Sequence, residues 1–168
     1  MTANRTANAY NKLLIYRVVR YGLILLLVVI AILLLTRNKE SSVPFDTVAA
    51  NVRGSITSDQ MQESPARYLK KNFGLSPEDY EGVMIYTPGT NMYANEVLLI
   101  RLKDTAQAES VEQAIRRRIE SQIQIFEGYA PEPTALLQQA IVDVRGNYIL
   151  YVTDAQANPI DEVFRKSL

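Results

Sequence analysis

The sequence predicts an α+β fold, with one N-terminal transmembrane helix followed by a small antiparallel sheet of about four strands that has helices packed on one face. Three observations lead to this prediction. Residues 21–35 form an apolar run without a charge. Two pairs of short apolar segments are each joined through turn residues, which is typical of antiparallel hairpins. Between the pairs, residues 105–127 carry apolar side chains at steps of three and four, which indicates an amphipathic helix.

The apolar run YGLILLLVVIAILLL is predicted to cross the membrane, with Tyr21 at its start, Leu27 near its middle and Leu35 at its end. As a helix, the charge-free window 21–36 is about 24 Å long, slightly shorter than a hydrocarbon core of ~30 Å. Two valines on its N-terminal side lengthen the run if the intervening arginine extends back to the interface. A buried helix of a globular core usually keeps a polar face, and this stretch has none. The predicted membrane helix therefore covers residues 18–36.

The charges around this run predict its orientation. Arg5, Lys12, Arg17 and Arg20 precede it, and the first acidic residue of the chain is Glu40. By the positive-inside rule, the N-terminus then stays in the cytoplasm and the residues beyond the run are exported. Two basic residues on the far side weaken this bias without reversing it.

On this interpretation the chain has a basic cytoplasmic tail over 1–17, a transmembrane signal-anchor helix over 18–36, a polar linker over 37–43 and an extracytoplasmic α+β domain over 44–168. A cleaved signal peptide is the alternative. The apolar run is at the upper length limit for such a peptide, and no small-x-small cleavage motif follows it. A lipoprotein anchor would need a cysteine, and the chain has none. The predicted location is the plasma membrane, crossed once.

Composition excludes several classes of function. Six of the 18 Lys and Arg residues lie within residues 1–39. The rest of the chain therefore has 12 basic residues and all 18 Asp and Glu residues. An outer domain with this acidic balance is a poor candidate for binding nucleic acid. The chain has no Cys and no His, which removes disulfides, thiol and Ser-His-Asp catalysis, and the commonest zinc ligands. We expect no cofactor, and a metal site would have to rely on carboxylates and carbonyls.

Capping and turn residues locate the elements of the outer domain. Pro44 and the Ser64-Pro65 pair suit helix starts, and Gly74 suits a helix end. Residues 58–63 are polar and are expected to form a loop or a short turn. The predicted elements are helices over 44–52, 64–73, 76–81, 105–127 and 134–140, strands over 82–87, 96–103, 141–144 and 148–153, and a last helix from Asn158.

Four patches of the outer domain carry a resemblance to a known family. The first joins residues 68–75 and 78–81, and the others are residues 95–100, 126–132 and 144–148. In this order and spacing, the patches together resemble the domain of unknown function DUF4358. Each patch alone would be a weak signal.

The resemblance extends over nearly the whole outer domain, from Asp46 to Phe164. It implies a small exported protein of Firmicutes, which are Gram-positive bacteria, held at the membrane by a lipoprotein or single-helix anchor. The family has no established activity, so the resemblance implies no catalytic residue. Such proteins are also associated, more loosely, with membrane O-acyltransferases and with the modification of cell-surface polymers.

Arg116, Arg117 and Arg118 form the densest run of charge in the domain. Such a run can bind an acidic cell-wall polymer or a phosphate group. Acidic residues surround it, however, and Glu112 lies one helical turn before Arg116, where it can form an ion pair. A solvated helix face is therefore the favoured interpretation.

The segment FEGYAPE at residues 126–132 is the candidate contact surface. Phe126 and Tyr129 supply aromatic rings, and Glu127 and Glu132 supply carboxylates. Aromatic rings of this kind stack on sugars or pack against a partner loop. The favoured interpretation, however, is an ordinary helix end at which Tyr129 packs back over the core.

Hydrolysis of glycosides by carboxylates alone would need two acids that face each other across a cleft. A domain of this size has little room for a deep cleft, so the protein is predicted not to be an enzyme. The acids of suitable type are Glu78, Asp79, Glu81, Glu127 and Glu132. Most of the scattered tyrosines are expected in the core or on sheet faces, namely Tyr80, Tyr86, Tyr93, Tyr129, Tyr148 and Tyr151.

These observations favour a non-enzymatic binding or scaffolding domain of the bacterial cell envelope. Its expected partners are the lipid bilayer, through one helix, and an envelope protein. The helix from Pro44 and the FEGYAPE segment are the expected contact surfaces. The alternative is an accessory protein for cell-surface polymer modification, which would bind a glycan or act beside a membrane O-acyltransferase.

Overall fold

The computed structural model describes residues 17, 19–30, 40–90 and 92–168, and it divides the chain into two units, 1–38 and 39–168. In the first unit, residues 19–30 are helical, and the side chains of Tyr21 and Leu27 are exposed. Among the described residues, no helix has both the length and the apolar character that a membrane span needs.

Much of the predicted anchor lies outside the described residues. This holds for the tail up to residue 16, with Arg5 and Lys12, and for the last part of the span, with Leu35. The membrane helix over 18–36 therefore stays a prediction from the sequence.

The second unit is an α+β domain, as predicted, and its helices and strands follow each other closely along the chain. Two single helical turns, Pro77–Asp79 and Thr105–Gln107, lie between the longer elements. The elements are α1 (Phe45–Ser55), β1 (Met61–Glu63), α2 (Arg67–Phe73), β2 (Tyr80–Pro88), β3 (Glu96–Leu102), α3 (Ala108–Phe126), α4 (Pro131–Gln138), β4 (Ile141–Arg145), β5 (Tyr148–Thr153) and α5 (Ala157–Lys166).

The sheet is antiparallel throughout and has five strands in the order β1-β2-β3-β5-β4. The four predicted strands are confirmed, and β4 and β5 form the predicted hairpin, in which Arg145 pairs with Tyr148 across a two-residue turn at Gly146. The fifth strand, β1, lies where a loop or short turn was predicted. It has three residues, too few to show an alternating pattern, and its pairing with the end of β2 fixes it in place.

Helices cover both faces of the sheet, so the prediction of helices on one face was wrong. Val97 and Leu99 of β3 pack in one core cluster with α1 and α5, whereas Leu98 and Ile100 pack in a second cluster with α2 and α3. The reason is visible in the strand itself, because VLLI is apolar at both odd and even positions. A continuous apolar strand of this kind is buried on both faces.

The N-terminal edge of the domain is attached to the sheet. The Ser41 amide donates to Asn147 Oδ1 at 2.9 Å, and Asn147 Nδ2 donates to the Ser41 carbonyl at 3.2 Å. The Tyr148 hydroxyl donates to the Val43 carbonyl at 2.7 Å. Residues 40–43 of the predicted linker are therefore held beside the β4–β5 turn, and the chain enters the domain at this end of the sheet.

Candidate functional site

A cleft of about 420 Å³ lies at the opposite end of the sheet, where β3 begins. Glu96 opens β3, and Arg101, which pairs with Tyr148, lies five residues or about 17 Å further along the strand. The lining residues come from α2, the end of β2, the β2–β3 loop, the start of β3 and the second half of α3: Tyr68, Lys71, Asn72, Thr87, Pro88, Thr90, Tyr93, Ala94, Asn95, Glu96, Arg118, Gln122, Ile125 and Phe126.

The floor of the cleft is an ion pair between Glu96 and Arg118. Glu96 is 3% exposed, and its Oε2 accepts a long hydrogen bond from Arg118 Nε at 3.4 Å. Arg118 Nη2 also donates to the Tyr68 hydroxyl at 3.1 Å. Within the described part of the chain, Glu96 Oε1 has no hydrogen-bond partner although it is buried. Such an atom is costly to leave unsatisfied, which marks this floor as unusual.

The environment of Glu96 changes its acidity and that of its neighbours. Burial raises the pKa of the Glu96 carboxyl, and the charge of Arg118 with the hydroxyls of Tyr68 and Tyr151 offsets only part of this increase. Burial and the charge of Glu96 raise the pKa of both tyrosines. The two hydroxyls therefore stay protonated and able to donate hydrogen bonds at neutral pH.

The network continues into the sheet behind the floor. Tyr151 is fully buried, and its hydroxyl is 2.7 Å from Thr153 Oγ1. Thr153 is the direct cross-strand partner of Glu96. Polar groups from α2, α3, β3 and β5 thus converge on one carboxylate, and such convergence in a cleft is typical of a binding or catalytic site.

The strand and helix periods place these two side chains opposite each other. Glu96 shares its face of β3 with Leu98 and Ile100, which pack towards α2 and α3. On α3, Arg118 follows the buried Ile115 by three residues and the buried Val111 by seven, which is the inward-facing stripe. Arg118 therefore points at the sheet, where an apolar residue would be expected.

Exposed apolar side chains lie in the cleft lining and next to residues of that lining. Met92, Tyr93, Ile125 and Tyr129 are between 43% and 77% exposed, and they are the exposed large apolar residues of residues 40–90 and 92–168. Tyr93 and Ile125 line the cleft itself. The ring of Tyr129 lies 6.0 Å from that of Phe126, which also lines it. We call Met92, Tyr93, Ile125 and Tyr129 the apolar rim.

The structure separates the four predicted contact residues. Phe126 is buried and lines the cleft, whereas Glu127, Tyr129 and Glu132 are exposed. The favoured interpretation, in which Tyr129 packs back over the core, is wrong, because this side chain is 68% exposed. Their role as a contact surface stays a prediction. The helix from Pro44 turns its apolar residues, Val48 and Val52 among them, into the core.

The three arginines at 116–118 also differ in exposure. Arg116 is exposed and pairs with Glu112 at 2.6 Å, and Arg117 is exposed, as the solvated interpretation predicted. Arg118 contradicts that interpretation, since it is 15% exposed and pairs with Glu96. The spacing of Arg118 from Val111 and Ile115 places it on the buried side of α3, and this could have been read from the sequence if the three arginines had been considered one by one. Glu96 carried a weaker signal, as a charged residue at the start of a continuous apolar strand.

The tyrosine prediction holds for the sheet residues only. Tyr80, Tyr148 and Tyr151 are buried and Tyr86 is half-buried, but Tyr93 and Tyr129 are exposed.

Glu96 is the one carboxylate among the described residues that line the cleft. The acids that were candidates by residue type are not among the lining residues, so the described part of the lining holds no second carboxylate opposite Glu96, which hydrolysis of a glycoside requires. Over the described residues, no group of three or more acidic side chains is placed to hold a metal ion. The chemistry that the cleft offers is that of hydrogen bonding by one carboxylate, one guanidinium, the ammonium group of Lys71 and several hydroxyl and amide groups.

A second buried carboxylate lies between β4 and α5. Asp161 is 5% exposed, and Arg165 Nη2 lies 2.7 Å from its Oδ2. Asp143 is close by and pairs with Arg145 at 2.8 Å. Burial raises the pKa of the Asp161 carboxyl, and the neighbouring charge of Asp143 raises it further.

Comparison with known proteins gives one match. A family model described as "Domain of unknown function (DUF4358)" matches residues 54–154. The matched region includes every residue that lines the cleft, since these lie between Tyr68 and Phe126. No curated protein and no solved structure matches the chain.

Proposed function

Because the chain belongs to DUF4358, a family of domains of unknown function, we propose a role for it from its own site: a non-enzymatic binding or scaffolding module of the bacterial cell envelope. The apolar run over 18–36 anchors the module in the plasma membrane, with the N-terminus in the cytoplasm. The domain over 44–168 then acts outside the cytoplasm, in a Gram-positive envelope.

The observation that carries this proposal is the apolar rim around the cleft. Large exposed apolar side chains are costly in water, and a group of them beside a cleft marks a surface that another molecule covers. The rim combines Met92 and Tyr93 of the β2–β3 loop with Ile125 near the end of α3 and Tyr129 in the turn that follows α3. The predicted FEGYAPE surface overlaps it through Tyr129.

A non-enzymatic role is supported by the donor set of the cleft. One carboxylate that is paired with an arginine can hold a ligand, but it lacks the second acid or base that bond cleavage by carboxylates needs. The buried network behind Glu96 is suited to fixing the orientation of the floor.

The anchor and the orientation can be tested by labelling, since the chain has no native cysteine. Two single-cysteine variants are made, Thr2→Cys in the tail and Gln138→Cys on α4, and protoplasts are treated with a membrane-impermeant maleimide. We expect the protein in the membrane fraction, with labelling at position 138 on intact protoplasts and at position 2 only after lysis. Labelling in the reverse order, or a protein released without detergent, would overturn the proposed topology.

The binding role can be tested by photo-crosslinking in native membranes. A benzophenone amino acid replaces Tyr93 or Tyr129 on the rim, and Glu162, exposed on α5, serves as the control position. We expect the rim positions to capture an envelope component that position 162 does not capture. The capture should persist when residues 21–35 are replaced by an unrelated membrane helix. Equal patterns at the rim and at position 162 would contradict the proposal, and loss of the capture with the helix swap would assign recognition to the span.

A second candidate is an accessory protein for cell-surface polymer modification, which binds a glycan or acts beside a membrane O-acyltransferase. The specific observation in its favour is the polar floor of the cleft beneath the apolar rim. A surface for protein contacts alone has no need for a buried carboxylate with an unpaired oxygen at its centre.

A further inference from the structure

We infer that the cleft binds one residue of an uncharged glycan, with the sugar ring against Tyr93 and its hydroxyl groups on the Glu96–Arg118 pair. This inference rests on the proposal that the cleft is a binding site, and it names the class of ligand.

The floor of the cleft places a carboxylate, a guanidinium and a hydroxyl group next to one another, so it suits a ligand group that both donates and accepts hydrogen bonds. Glu96 and Arg118 both line the cleft, where Arg118 Nε donates to Glu96 Oε2 and Arg118 Nη2 donates to the Tyr68 hydroxyl. A sugar hydroxyl can donate to a carboxylate and accept from a guanidinium, and neighbouring hydroxyls on a ring can engage both partners of an ion pair.

The walls are mainly uncharged. Asn72 and Gln122 contribute amide groups, and Thr87 and Thr90 contribute hydroxyls. Lys71 is the other charged residue of the lining, and it is exposed rather than buried at the floor. A lining of this kind suits a ligand with many neutral polar groups.

The rim supplies the apolar surface that sugar recognition needs. Tyr93 lines the cleft and is 43% exposed, and Ile125 lines it from the α3 side. One face of a sugar ring is made of C–H groups, which pack on the face of an aromatic side chain. A volume of about 420 Å³ lies within the range of ordinary small-ligand sites.

The alternative occupant, a peptide, fits the cleft less well. An extended peptide usually adds to a free strand edge, but β3 is paired on both sides, with β2 and with β5. A helical peptide needs an apolar groove, whereas this floor is an ion pair. The cleft therefore offers side chains rather than backbone edges, which is how polyhydroxylated ligands are recognised.

The test uses the full chain in nanodiscs and measures binding by saturation-transfer NMR and calorimetry. The probes are glucose, galactose, mannose, rhamnose, N-acetylglucosamine and N-acetylgalactosamine, with glucose 6-phosphate as the charged comparison. We expect at least one neutral sugar to bind with a dissociation constant on the order of 1 mM or tighter.

Matched variants locate the binding. Tyr93→Ala should weaken it roughly tenfold while Tyr93→Phe retains it, because stacking needs the ring and not the hydroxyl. Gln122→Ala should weaken binding, and Gln138→Ala, an exposed change on α4, should not. Binding that survives both Tyr93→Ala and Gln122→Ala would place the sugar elsewhere and overturn the assignment.

The remaining outcomes separate this inference from the proposed function. If none of the six neutral sugars binds but photo-crosslinking at Tyr93 captures a protein, the glycan inference is wrong and the binding module stands. If glucose 6-phosphate binds at least tenfold more tightly than every neutral sugar, the ligand is an anion and the inference is again wrong. If neither sugar binding nor capture at the rim is found, both proposals fall.

Discussion

Two buried carboxylates of this domain, Glu96 and Asp161, have similar surroundings and different partners. Each is at most 5% exposed, each faces an arginine, and each has one oxygen without a hydrogen-bond partner in the described ranges 40–90 and 92–168. Asp161 pairs at 2.7 Å with Arg165, one turn further along the same helix. Glu96 pairs at 3.4 Å with Arg118, which lies on a different element and is itself mostly buried.

The difference separates a local structural pair from a candidate site. The Asp161 pair forms within α5 and costs little to arrange, since Arg165 is half exposed. The Glu96–Arg118 pair removes two charges from water, and its long hydrogen bond offsets little of this desolvation penalty. The Glu96–Arg118 pair is therefore hard to explain by its contribution to stability. Because it also lies at the floor of a cleft, it is the better candidate for a functional site.

The largest expected effect is that of Arg118→Met. This change leaves Glu96 as a buried carboxylate without a compensating charge, which should cost about 3 kcal/mol in the free energy of unfolding at neutral pH. The measurement is chemical denaturation of the full chain, followed by the near-ultraviolet signal of the buried tyrosines. The double variant Glu96→Gln/Arg118→Met removes both charges and should recover most of the loss. A double variant as unstable as Arg118→Met would mean that packing, and not charge, explains the effect.

The second effect is a pH dependence that Glu96 contributes. Its pKa is raised in the folded domain, so its contribution to stability is fully present below the unfolded carboxyl pKa and is lost as the pH rises through the folded pKa. We expect Glu96→Gln to gain stability relative to the native chain as the pH is increased from about 4 to 8. Asp161→Asn should change in the same direction, because the Asp161 pKa is raised as well. Stability curves that run parallel for Glu96→Gln and the native chain would contradict the prediction.

The third effect is the matched change on the other pair, Arg165→Met. Arg165 is half exposed, and the charge of Arg145 still acts on Asp161 after Arg165 is removed, so this variant should lose less stability than Arg118→Met, on the order of 1 kcal/mol. Arg118→Met and Arg165→Met make the same chemical change, and the same denaturation measurement compares them. If both variants lost the same free energy of unfolding, the claim that the two carboxylates differ would be contradicted.

The features of the domain that depend on neighbouring residues could be predicted from the sequence. The α+β class and the four longer strands follow from local patterns, as do the long helix and the helix end at Gly74, where the backbone is left-handed. The family was also predictable, since the patches that resemble DUF4358 lie largely within the matched residues 54–154. Local patterns of this kind depend on near neighbours in the sequence.

The rest depends on contacts between distant residues. Strand β1 exists because Gln62 pairs with Thr87, and the second layer of helices exists because β3 and β5 need cover on both faces. Arg118 looks like one of three surface arginines until its phase on α3 is compared with that of Ile115. The pairing of Arg118 with Glu96, 22 residues earlier, needs the folded sheet and cannot be derived from spacing.

The smallest effect on stability is expected at the apolar rim, and it sharpens the comparison most. Tyr93→Ala and Tyr129→Ala remove exposed rings, so each should change the free energy of unfolding by no more than about 0.5 kcal/mol. If the rim belongs to the same surface as the Glu96 floor, the pair of changes should nevertheless abolish the envelope contact that a benzophenone residue at position 125 captures. Asp161→Asn, on the other face of the sheet, should leave that capture intact. Capture lost in Asp161→Asn but kept in the rim variants would show that the contact surface belongs to α5, and that Glu96 is the structural member of the two.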